Sequence, residues 1–248
     1  MRGIVLKDSG YPNAPLALLI RKLVPDLEIF GSLCLNFNCG GLNYHAVESY
    51  AQLGAKVVWM PTYASANSIS TFRSLGVPME GEGITIIDDR GRLVPEIAPI
   101  LSAVKKYDMV LATGHISPEE IFALVEEALR LGITKLLITH PLDKEFSDRV
   151  PSMDELKRLS SMGAIIEHTF VCHLHTEFSR NPAHTVEAIR ELGAEHCIIS
   201  TDLGLFTYNP PPAEGLRMFI ATLIRHGLST EEVELMAKIN PAKLLGLD

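Results

Sequence analysis

Short apolar runs rich in β-branched residues recur along the chain and alternate with stretches whose apolar positions repeat every three or four residues. The runs predict strands over Gly3–Lys7, Glu28–Asn36, Lys56–Met60, Asp108–Ala112, Lys135–Thr139, Ala164–Thr169 and Cys197–Thr201. Helices are predicted between them. In Pro118–Leu131 the residues Ile121, Leu124, Val125, Ala128 and Leu131 share one face, and Met153–Met162 and Pro182–Leu192 read likewise. Leu53-Gly54, Leu131-Gly132, Met162-Gly163 and Leu192-Gly193 each close a helical stretch just before an apolar run. Glycine suits that place because it enters the left-handed backbone region without a Cβ clash. Gly83–Ile97 interrupts the cycle; its alternation around Asp89-Arg90-Gly91 predicts a β-hairpin insertion.

Strands that are apolar throughout and alternate with helices are covered on both faces, which defines a parallel α/β architecture in one domain spanning 1–248. An open doubly wound sheet often carries a glycine-rich phosphate loop after its first strand, and neither GxGxxG nor GxxxxGK[ST] occurs. The apolar runs end instead in Lys7-Asp8, Asn36, Thr62, His115, His140, Glu167-His168 and Thr201-Asp202. Polar groups spread over many strand ends favour a (β/α)8 TIM-type barrel. Seven strands are visible, and the chain enters the cycle where a second β/α repeat would begin. Three explanations stand: a first repeat that has been lost, a reading frame that starts at an internal methionine, or a barrel open on one side.

The 248 residues are 47% hydrophobic, ample for a packed core, and carry a formal net charge of −8. That charge argues against nucleic acid or anionic membrane as the main partner and leaves small molecules and proteins. Cys34, Cys39, Cys172 and Cys197 form no CxxC pair and lie in or beside apolar segments, as free thiols of a cytoplasmic protein do. An open edge beside Gly3–Lys7 would expose strand and apolar surface, from which a homo-oligomer is expected.

A histidine at one strand end is as often a hydrogen-bonded structural residue as a ligand. His115 and His140 close consecutive strands, however, and Asp202 closes the last, so the three are candidate metal ligands as a group. Asp202 could instead cap the turn Thr201–Gly204. Glu167 and His168 alternate faces of a strand, so one of them is expected to face the site and the other to be structural. His173-Leu174-His175 has ligand-like spacing but lies in a loop. Lys7 could neutralise a substrate anion, be carbamylated as a ligand, or make an ordinary ion pair. His45, His184, His196 and His226 read as helix-surface or pre-strand residues.

This order of residues, with the closing stretch Ile239–Leu247 (INPAKLLGL) and the segment Gly40–Ser65, resembles the metal-dependent hydrolases of the amidohydrolase superfamily. The resemblance implies a (β/α)8 barrel with His-x-His on strand 1, single histidines on strands 5 and 6, and an aspartate on strand 8. No His-x-His precedes Lys7, and Val57–Thr62 ends without a lysine or glutamate to bridge two metals. What the resemblance implies here is one divalent ion, zinc, on His115, His140 and Asp202. Asp202 would be the catalytic base toward an ion-activated water, with Lys7, Asn36, Glu167 and His168 binding a small-molecule amide, lactone, ester or phosphoester. A lyase or decarboxylase on the same site, or a non-catalytic binding or scaffold barrel, are the alternatives.

Overall fold

The computed structural model describes residues 2–77, 79, 81–144, 146–174, 179–204 and 209–247. Its strands are β1 (Gly3–Val5), β2 (Glu28–Cys34), β3 (Ala55–Trp59), β4 (Val110–Ala112), β5 (Leu136–Ile138), β6 (Ile165–Thr169) and β7 (Cys197–Ser200). Between and after them run α1 (Ala14–Leu23), α2 (Tyr44–Gln52), α3 (Ile69–Ser74), α4 (Ile97–Lys106), α5 (Pro118–Arg130), α6 (Met153–Ser161), α7 (Pro182–Leu192), α8 (Pro212–Arg225), α9 (Thr230–Glu234) and α10 (Asn240–Leu245). The chain divides into two compact units, one of Met1–Ile138 with Phe146–Val150, the other of Thr139–Glu145 with Pro151–Asp248.

In the first unit β1 to β5 lie side by side in sequence order, every pair parallel. The strands are shorter than the apolar runs that announce them, because the runs continue into the polar strand ends. Pairing persists just past them: Leu6 N–H donates to Phe30 O at 2.9 Å and Leu35 N–H to Trp59 O at 3.0 Å. Leu33, Val58, Val110 and Leu111 are buried on the strands, as are Ile100, Leu101 and Val104 of α4 and Ile121, Leu124, Val125 and Ala128 of α5. Burial of both strand faces is why the runs show no polar alternation. α5 starts at a capping box, in which Ser117 accepts from Glu120 N–H and the Glu120 carboxylate accepts from Ser117 N–H.

The stretch 83–97 makes a tight turn, with Asp88 N–H donating to Arg92 O at 2.8 Å, and a single antiparallel bridge between Ile87 and Leu93. Pro95, lacking an N–H, cannot extend the pairing. The Glu120 carboxylate ties this stretch to α5, accepting from Ile86 N–H and Thr85 Oγ1, both at 2.7 Å. α1 packs on β2 through its small residues: a Cβ on Gly31 would stand 2.4 Å from the Cα of Ala14. Residues 146–150 belong to this unit because Asn67 holds them; its Nδ2 donates to Arg149 O at 2.9 Å and its Oδ1 accepts from Arg149 N–H at 3.1 Å.

In the second unit β6 and β7 pair in parallel from Ile166↔Cys197 to Thr169↔Ser200. Near its C-terminal end the helix α9 passes into a π-helical stretch, Leu235–Ile239, before α10. Pro241 lacks the N–H of an ordinary helical turn, a common cause of such a widening. The result places the buried Asn240 amide so that Nδ2 donates to Ala194 O at 2.9 Å and Cys197 O at 2.8 Å.

Candidate functional site

In the second unit the strand-end residues converge on His140. Its imidazole is buried, with Nδ1 3.5 Å from Asp143 Oδ2 and Nε2 3.8 Å from Asp202 Oδ2. His140 and Asp202 share another property: both hold positive φ, 22° and 48°, uncommon for residues with a side chain. Such backbone persists where surroundings over-determine it, and it clusters at functional positions.

Asp143 is the hub of this arrangement. Besides facing His140, its Oδ2 accepts from Thr169 Oγ1 at 3.1 Å, and its Oδ1 lies 3.4 Å from Arg180 Nη1. A narrow crevice lined by His140, Asp143, Glu167, His168 and Arg180 runs beside it. Glu167 accepts from Ser200 Oγ at 2.8 Å, a bond across the β6–β7 pair. Both Glu167 and His168 are buried. Burial, with Arg180 and His173 nearby, pushes the His168 pKa down to about 3, so the ring is neutral. His173 sits over Phe219 with ring centroids 5.2 Å apart and bonds through Nδ1 to Arg180 O at 2.9 Å; burial lowers its pKa as well. His175, its companion in the spacing motif, lies outside the described residues.

The first unit holds the other candidates. Asn36 is fully buried and its amide is engaged within the chain. Oδ1 accepts from Thr62 N–H at 2.8 Å and Nδ2 donates to Ser9 O at 2.8 Å and Thr62 Oγ1 at 2.7 Å, which locks the ends of β2 and β3 together. Lys7 Nζ lies over the Trp59 ring, 5.9 Å from its centroid. The His115 ring is stacked parallel to Phe72 at 6.2 Å and beside Phe146 at 5.9 Å, in an aromatic slot. The chain reaches His115 through Gly114, whose positive φ of 59° and close passage along Met60 O leave no space for a Cβ.

Asp143 and Arg180 are not among the strand-end residues that the sequence singles out. Asp143 had a local signal, since it closes a turn on the strand-end histidine, its N–H donating to His140 O at 3.2 Å. Arg180 had none, being brought in from a distant loop.

The donors in the second unit can be tested against a divalent ion. The 3.8 Å between His140 Nε2 and Asp202 Oδ2 exceeds a hydrogen bond, whereas two ligands about 2.0–2.1 Å from one tetrahedral ion stand about 3.4 Å apart. Imidazole nitrogen and carboxylate oxygen also suit zinc-like ions. The pair therefore fits as two ligands of one ion. Among the described residues no group of three His, Cys, Asp or Glu side chains is close enough to hold a metal.

Parallel strands in sequence order, each followed by a helix, with polar groups at their ends, define a TIM-type α/β barrel, and solved structures agree on that fold. The chain is similar to an amidohydrolase from Pseudomonas aeruginosa (TM-score 0.59, 15% identity, covering 98% of this chain and 78% of that one). It is similar to a TatD homologue from Escherichia coli K12 (TM-score 0.58, 14% identity, 99% and 86% covered). It also resembles an organophosphorus hydrolase from Deinococcus radiodurans (TM-score 0.58, 15% identity, 99% and 79% covered). No curated protein matches the sequence. The chain belongs to the family described as "Family of unknown function (DUF6282)", which it matches over residues 1–167.

Proposed function

We propose that the protein is a hydrolase of a small molecule, with one divalent ion held by His140 and Asp202. The observation that supports this is the placement of the His140 ring between two carboxylates. Nδ1 faces Asp143 at 3.5 Å and Nε2 faces Asp202 at 3.8 Å. In such an arrangement one carboxylate orients the imidazole and the other would share a divalent ion with it.

When bound, such an ion supplies Lewis acidity and acidifies a water. The chain's own residues do the rest. Asp143, braced by Thr169 and Arg180, orients His140. Asp202 accepts the proton of the attacking water, and one of Glu167 and His168, which alternate faces of β6, orients the substrate. The similar solved structures include an amidohydrolase and an organophosphorus hydrolase, which fits carbonyl or phosphoester chemistry.

Elemental analysis after zinc loading is the test. About one ion per chain is expected, lost in His140→Ala and Asp202→Ala and kept in His226→Ala, whose side chain is exposed at the end of α8. Ester, lactone and phosphoester hydrolysis should follow occupancy. Metal absent from the wild type, or kept in full by His140→Ala, overturns the proposal. The second reading, a binding or scaffold barrel without catalysis, then leads; the absence of a three-donor group among the described residues favours it.

A further inference from the structure

α1 is turned inside out. The residues it buries against β2 are alanines, Ala14 and Ala17, while Leu16, Leu18, Leu19 and Leu23 are 52%, 38%, 61% and 80% exposed. Rotating the helix to bury the leucines is blocked, because Ala14 lies so close to Gly31 that even a Cβ there would collide. Tyr11 and Val24, flanking the helix, are 70% and 42% exposed. At 100° per residue Leu16, Leu19 and Leu23 form one stripe opposite the buried alanines. Arg21 is held off this stripe, lying over Phe30 at 5.4 Å and 3.9 Å from Glu28. Lys22 alone brings a charge to the exposed side.

We propose that this stripe is a homodimer interface, in which α1 of one copy packs antiparallel on α1 of a second copy about a two-fold axis near Leu19. Its spacing supports a second copy as the occupant. Leu19 is flanked at three residues by Leu16 and at four by Leu23, so reversing the helix sets Leu16 opposite the second copy's Leu23 and interdigitates the rows. Lys22 then meets no second Lys22, since the two lie at opposite ends of the contact. The area agrees: at roughly 150–250 Å² for a large side chain, the exposed fractions of Tyr11, Leu16, Leu19, Leu23 and Val24 amount to on the order of 600 Å² per copy, near the about 800 Å² per partner of a standard interface. A lipid surface fits less well, because membrane-lying helices carry a basic polar face and the chain's formal charge is −8.

Sedimentation at tens of micromolar tests the proposal on the full chain. The wild type is expected at twice the chain mass, and Leu19→Glu/Leu23→Glu at half that value with an unchanged circular dichroism spectrum, since these side chains leave the core untouched. Leu19→Cys should form a covalent dimer on mild oxidation. Leu75→Cys, at another exposed leucine, should not, and the four native cysteines are buried and give no background. A monomeric wild type, or a dimer that survives the double substitution without Leu19→Cys crosslinking, overturns it. Because none of these variants touches the ion site, the outcome is independent of the metal test.

Discussion

His168 has a ring nitrogen, Nε2, that is buried and finds no hydrogen-bond partner among the described residues, so protonating the ring in the folded protein is unfavourable. Its folded pKa, about 3, lies below the ordinary imidazole value of about 6.5. The unfolded chain therefore binds a proton that the folded chain refuses. Stability is fully present above about pH 6.5 and is lost as pH falls through the window towards 3, by up to about 1.4 kcal/mol per pH unit. Urea unfolding at pH 7, 6 and 5, before most carboxylates titrate, should show this slope in the wild type and a flatter one in His168→Asn. Equal slopes would refute the assignment. Alternation of Glu167 and His168 predicts one facing residue and one structural residue without telling them apart, and both are buried. What decides it is the β6–β7 pairing, which gives Glu167 a partner in Ser200. His140 and Asp202, which the sequence groups with His115 because each ends an apolar run, stand 3.8 Å apart at the ends of β5 and β7.

Helix faces and helix stops were the most readable elements. The apolar period over 118–131 reappears as the buried face of α5, and the glycines read as stops hold positive φ: 86° at Gly54, 79° at Gly132, 96° at Gly163 and 89° at Gly193. Strand ends were overestimated, since an apolar run does not register where pairing ceases. The hairpin was overestimated for the same reason, since alternation over 83–97 signals burial on one side rather than a ladder, and its anchor is Glu120 from α5. Among these elements the β4-to-α5 connection is the least tolerant. A Cβ at Gly114 would lie 2.3 Å from Met60 O at a φ of 59°, whereas at Gly132 the nearest atom is the flexible end of Lys105 at 3.8 Å. Gly114→Ala should therefore cost more than about 3 kcal/mol, and Gly132→Ala about 1 kcal/mol from backbone strain alone. Thermal unfolding of both variants checks the ranking, and a Gly114→Ala protein as stable as Gly132→Ala would show that the connection yields.

At the scale of the whole molecule the formal charge of −8 sets what the surface tolerates. No retention on duplex DNA or on phosphatidylserine vesicles is expected at about 0.15 M salt, where binding of either calls for clustered basic side chains. Co-sedimentation checks it, and salt-sensitive binding would reveal a local basic patch that the net charge hides. Parallel topology was legible in the sequence because every strand is followed by a helix and no run alternates in polarity. Its tertiary fasteners were not: Asn67 gripping Arg149 and Asn240 gripping two carbonyls are single amides acting across long stretches of chain. The Asn240 clasp also bears on the order of synthesis. The carbonyls of Ala194 and Cys197 lead into β7, yet their donor is made more than forty residues later, so a nascent chain that has finished β7 must hold that end open to water. The first unit, by contrast, gathers all its strands before residue 139, so it can fold on the ribosome while the second unit awaits the last helical turns.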